Sequence, residues 1–103
     1  MSNLISYDKM NLIENHSIDK GVSAKPIFKG EGTTISLQIL GNQKLAEHTT
    51  KIPAMLVCVC GEVVFEYVNG NKYELKSGDY INIEPNESHW VIAKVDSQLL
   101  LLK

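Results

Sequence analysis

At 103 residues, the chain suits one compact domain and leaves too little for two independent cores. Its 44% hydrophobic and 21% charged residues, with a formal net charge of -2, match a folded globular protein and argue against disorder. The ten basic residues are all lysine, so the planar fork that grips phosphate in two places is missing and nucleic acid is not an expected partner.

Residues 1–25 carry the least pattern and are expected to form an N-terminal arm, in which "SYDKMNLIEN" suits a helical turn or two or an extended segment. The start has no basic stretch leading into an apolar run and a small-residue cleavage site, and no segment has the length to cross a bilayer. A cytoplasmic protein with no membrane partner is expected. "GVSAKPIF" suggests an edge strand, because Pro26 has no N–H to give to a ladder.

The expected domain spans 26–103. Short β-rich runs follow one another at 33–40, 44–49, 54–60, 62–68, 72–75, 79–84, 89–95 and 97–103, each broken by turn residues. In "DYINIE", Ile81 and Ile83 point one way and Tyr80, Asn82 and Glu84 the other, as a half-buried strand requires. Asn69-Gly70 is a strong hairpin signal, and "KSGD" at 76–79 is a second turn centred on glycine. Strands this short and closely spaced, without helices between them, predict an all-β sandwich or barrel.

Two glycine–histidine spacings sharpen this. Gly78 is followed by Asp79 to Ile83, then Glu84, Asn86 and His89; upstream, Gly61 is preceded by Ala54, Thr50 and His48. In these spacings the chain resembles a small single-domain cupin of the RmlC-like superfamily over residues 22–103. Glu84 stands in the second motif's proline position and Asn86 in its second glycine position. In the first motif, Ala54 stands at the glutamate position and Thr50 at the second histidine, so two of four usual ligand positions survive. The resemblance implies a jelly-roll barrel, the double-stranded β-helix, with His48 and His89 facing one interior.

Two converging imidazoles can begin a site for Zn, Fe, Ni, Cu or Mn, although an open catalytic site usually has at least three protein ligands. Thr50 is a weak neutral ligand, and Gln38, Glu47, Cys58 and Cys60 are the candidates for a third. The same residues read equally as a site that holds no metal. Two functions therefore stand side by side. One is a small-molecule-binding cupin in which His48 and His89 orient a ligand in the barrel pocket beside Thr50 and Gln38. The other is a metal-dependent oxygenase or isomerase acting on a small metabolite.

Cys58 and Cys60 are two apart on a strand, about 6.5 to 7 Å between Cα atoms, at or past the reach of a disulfide. Free thiols are expected, packed as small hydrophobes in preference to acting as ligands or nucleophiles. If the parity of Ala54 carries through, both face the cavity; a bulge would break it. Trp90 should face outward, and "LLLL" at 99–102 is apolar on both faces, as a buried central strand or a subunit interface would be. A homodimer is the expected assembly. His16, Glu84 and Glu87 are read as solvated loop or turn residues without a site role.

Overall fold

The structure is a computed structural model and describes residues 9–103. The expectation of helical or extended structure in the arm lies partly on residues 1–8, outside the described residues. From residue 13 onward the chain forms one 3-10 turn, Ile13–Asn15, and nine strands: β1 Val22–Lys29, β2 Thr33–Ile39, β3 Lys44–His48, β4 Ala54–Cys60, β5 Glu62–Tyr67, β6 Lys72–Lys76, β7 Tyr80–Ile83, β8 His89–Ala93 and β9 Ser97–Leu102. They make two antiparallel sheets, a larger one ordered β1-β2-β9-β4-β7 and a smaller one ordered β3-β8-β5-β6. Among the described residues no helix is long and apolar enough to cross a membrane.

Alternation decides what lies between the sheets. Leu37, Ile39, Leu56, Cys58 and Leu99 of the larger sheet meet Val63, Phe65, Val91 and Ala93 of the smaller one, all nearly sealed from solvent. Removing such surface from water stabilises the fold by roughly 25 cal/mol per Å² of apolar area. The leucine run is explained by position: β9 is the central strand of the larger sheet, bonded to β2 and β4. Leu99 enters the core, whereas Leu100 and Leu102 are half-buried on the outer face. β1 is an edge strand, and its register slips between Pro26 and Phe28, where proline interrupts the ladder. Trp90 faces outward, donating to Glu66 at 3.1 Å with the Lys44 ammonium 5.0 Å from the ring centroid.

Two of the positive-φ positions bear on the histidine motifs. Gly61 (φ 109°), between β4 and β5, lies so close to β9 that an added Cβ would sit 2.7 Å from Ser97 Cα. Asn86, where the motif resemblance expects a glycine, has φ 68°, a conformation asparagine tolerates better than other side chains.

His16 is half-buried instead of solvated. Its ring lies between the hydroxyls of Ser23 and Ser36, each 2.8 Å away, against the outer face of the larger sheet. Gln38 donates to the Ser17 carbonyl at 3.0 Å and accepts from Gln98 at 2.7 Å. Residues 15–17 thus bury a polar row and supply partners to Ser36 and Gln38 in doing so.

Gly61→Ala is expected to destabilise the fold by about 3 kcal/mol or more, because positive φ and a backbone clash act together; chemical denaturation measures it. Burial, then the charge of Lys25, hold the His16 imidazole below its ordinary 6.5. The unfolded chain therefore takes up this proton first, and the clasp's contribution, complete above about 6.5, is lost as pH falls toward the lowered folded value. His16→Gln should cost about 1 kcal/mol at neutral pH, and the difference from wild type should shrink on acidification when stability is measured across that range.

Candidate functional site

The second motif's turn, ending at Ser88, delivers His89 to the first position of β8. The ring is 1% exposed and stacks on Phe65, centroids 5.0 Å apart and planes 18° from parallel. His48 ends β3 and is paired with His89 across the ladder, after a register slip between Leu45 and His48. That slip turns His48 inward after Leu45. Asn86 N–H donates to the Thr50 carbonyl at 2.7 Å and ties the two motif loops together.

The imidazoles meet edge to face, centroids 4.3 Å apart, with Nε2 to Nε2 at 3.2 Å. Each ring is oriented by a carbonyl two residues back. Nδ1 of His48 lies 2.9 Å from the Ala46 oxygen, and Nδ1 of His89 lies 3.0 Å from the Glu87 oxygen. A carbonyl only accepts, so both Nδ1 atoms carry hydrogen and, in the neutral rings, both Nε2 atoms present lone pairs to each other. Burial holds His89 below its ordinary pKa, and the neighbouring His48 adds to this against the opposing pull of the Glu87 carbonyl. Two lone pairs facing each other at this distance are relieved by one shared proton or one shared cation.

The fit of a metal can be tested on these distances. With Zn–N near 2.0 to 2.1 Å, tetrahedral coordination places two nitrogens about 3.3 to 3.4 Å apart, close to the 3.2 Å found here. The two imidazoles thus fit one edge of a metal's coordination shell. Among the described residues no group of three or more His, Cys, Asp or Glu side chains could hold a metal. Thr50 contributes a buried hydroxyl with no hydrogen-bond partner, Oγ1, two residues beyond His48.

The other candidates do not join the pair. Gln38 is on the opposite face of β2 from Leu37, beneath the arm, and this corrects its place in the pocket: strand alternation sends it outward. Glu47 is exposed in the irregular end of β3. Cys58 is fully buried, its thiol pushed up to about 11 mainly by burial and further by Cys60, Asp79 and Glu62, so it is no thiolate at neutral pH. Cys60 is exposed, because β4 slips against β9 between Cys58 and Cys60 and reverses the parity. The hollow behind the imidazoles, walled by Leu37, Leu45, Leu56, Phe65, Ile83 and Leu101, has a volume of about 10 Å³, room for one water at most. His48 is exposed at its edge. The clamping carbonyls and the Phe65 stack went unread in the sequence; the only available signal was that each histidine ends a turn or irregular segment.

A search of curated proteins finds no match. Solved structures with the same architecture include a cupin superfamily protein of Desulfitobacterium hafniense (TM-score 0.81, 13% identity, covering 99% of this chain and 94% of that one). A conserved protein of unknown function, SPY1581 of Streptococcus pyogenes, aligns at TM-score 0.79 and 16% identity over 98% of this chain and 90% of that one. Protein NMB1881 of Neisseria meningitidis aligns at 0.76 and 18% over 92% and 97%. At these identities the likeness concerns the fold. The family model for the cupin domain matches residues 38–102, the stretch that contains both histidine motifs, and the chain belongs to the cupin-domain family.

Proposed function

We propose that this cupin is a metal-binding barrel in which His48 and His89 hold one divalent transition-metal ion, with the remaining coordination positions open to water or to an oxygen-bearing small molecule. The observation that carries the reading is the pair of Nε2 atoms facing each other at 3.2 Å while both Nδ1 atoms are committed to backbone carbonyls. Such carbonyl partners fix the ring orientation and raise its basicity as a ligand. Phe65 shields one face of His89 from water, and the Thr50 hydroxyl supplies an unused polar group near the motif.

When bound, the ion would supply a Lewis-acid centre to whatever completes its shell. Two protein ligands fall short of the three usual in catalytic sites, which favours binding over an oxygenase or isomerase reaction. A ligand reaching the pair comes from the exposed edge of His48, since the interior void of about 10 Å³ is too small for an organic molecule. Direct, metal-free orientation of a small molecule by the two imidazoles is the second reading, supported by the same exposed edge.

Protein prepared without a polyhistidine tag and stripped with chelator should take up one equivalent of Zn²⁺ or Ni²⁺ in calorimetric titration. His48→Ala, at an exposed position that spares the core, should weaken uptake by about tenfold or more, and His89→Ala should do the same at a larger cost in stability. Affinity should also fall on acidification, as protons compete for Nε2 of His89, whose burial holds its pKa below the ordinary value. Saturable uptake unchanged by His48→Ala, or none by folded wild type, refutes the proposal.

A further inference from the structure

β6 ends the smaller sheet and β7 ends the larger one, and a groove runs along the seam between these two free edges. Its deeper part has a volume of about 380 Å³ and is walled by Tyr67, Tyr73, Ile81, Glu84 and Glu87. It adjoins a second hollow of about 350 Å³ that shares Tyr73 and Ile81 and adds Tyr80, Glu74 and Asp79. The deeper part falls in the size range of small-molecule sites, about 300 to 1,000 Å³.

The chemistry of the lining is one-sided. Four carboxylates border the two hollows and no lysine does. Two of the four are engaged: Glu74 pairs with Lys94 at 2.6 Å, and Asp79 accepts from the Lys76 N–H at 2.8 Å. Glu84 and Glu87, both in the deeper part, make no ion pair or side-chain hydrogen bond among the described residues. Beside them two aromatic rings form a corner, Tyr67 and Tyr73 at 6.3 Å between centroids and 89° between planes. Tyr67 is 7% exposed, and its hydroxyl accepts from the Glu84 N–H at 3.0 Å. The phenolic proton has no acceptor among the described residues.

We infer that this seam groove is a second binding site, separate from the histidine pair, and that it takes a small organic cation carrying an ammonium group. Unpaired carboxylates set against aromatic faces attract a cation by charge and by the ring quadrupole together. An anion would be repelled by Glu84 and Glu87. A neutral polyol would leave both charges uncompensated while displacing their water. A bare metal ion would need several oxygens closing tightly around it, whereas this groove is broad and carries the rings of Tyr67 and Tyr73 on its wall. The free phenolic proton of Tyr67 and the amides of Asn69, Asn71 and Asn82 suit a hydroxyl or carbonyl elsewhere on the same ligand.

The test is a titration of chelator-stripped, isotope-labelled protein followed by amide chemical shifts, so that its outcome does not depend on the metal reading. The probes are choline, putrescine and neopentyl carbinol, the uncharged carbon analogue of choline. At least one of the two amines should shift the amides of residues 67, 73 and 84 saturably, and the uncharged analogue should bind about tenfold more weakly than choline or not at all. Glu84→Gln with Glu87→Gln, at positions outside the core, should weaken amine binding about tenfold, and Tyr73→Ala should weaken it independently. Saturation by neither amine, equal binding of choline and its uncharged analogue, shifts confined to other surfaces, or a glutamine double variant that binds like wild type would each overturn the inference.

Discussion

The pairing of β3 with β8 is the constraint on which the site depends. The two histidines lie 41 residues apart in sequence, yet they occupy opposed positions on one antiparallel ladder, and the slip before His48 selects the inward face for its ring. The core then does the rest. Phe65 and Tyr67 on β5, the other neighbour of β8, pack against His89 from the side. Each Nδ1 is held by its own chain's carbonyl, so ring orientation follows from the backbone and needs no further side chain. Packing sets where the rings are, and hydrogen bonding sets which nitrogen is free; the proposed metal site rests on both.

Most of the architecture was legible because two-residue alternation is a direct record of which face is wet. The runs from "TTISLQIL" to "SQLLLLK" became β2 to β9 with ends moved by at most two residues, and the glycines at 61, 70 and 78 took the positive φ that turns require. The convergence of His48 and His89 was legible through the motif spacing. What went wrong or unread has a common cause in strand pairing. Cys60 left the interior through a slip that depends on its fit against β9, and nothing in "CVCG" announces it. Gln38 was readable, since Leu37 and Ile39 on either side already claim the core face. His16 gained its partners because β1 and β2 bring Ser23 and Ser36 together under it, a juxtaposition set by register and invisible to spacing.

The molecule treats its two outer surfaces differently. On the larger sheet, a polar row of Ser36, Gln38 and Gln98 is covered by the arm, and half-buried Leu100, Leu102 and Val57 lie alongside. On the smaller sheet, Trp90 is satisfied by Glu66 and Lys44 from neighbouring strands. The acidic seam belongs to neither face. It exists because the sheets stop at β6 and β7, and strand edges offer concavity that a continuous pleated surface lacks.

The hydrogen bond from Asn86 to the Thr50 carbonyl separates what residue 50 does for architecture from what its side chain does. The main chain there braces the opposite loop whichever residue is present, so the position tolerates exchange without loosening the brace. The side chain is left out of that brace: Thr50 carries a buried hydroxyl with no hydrogen-bond partner while its carbonyl holds the facing loop. Because the bond is made by main-chain atoms alone, the two loops keep their mutual register when the side chain at 50 is exchanged.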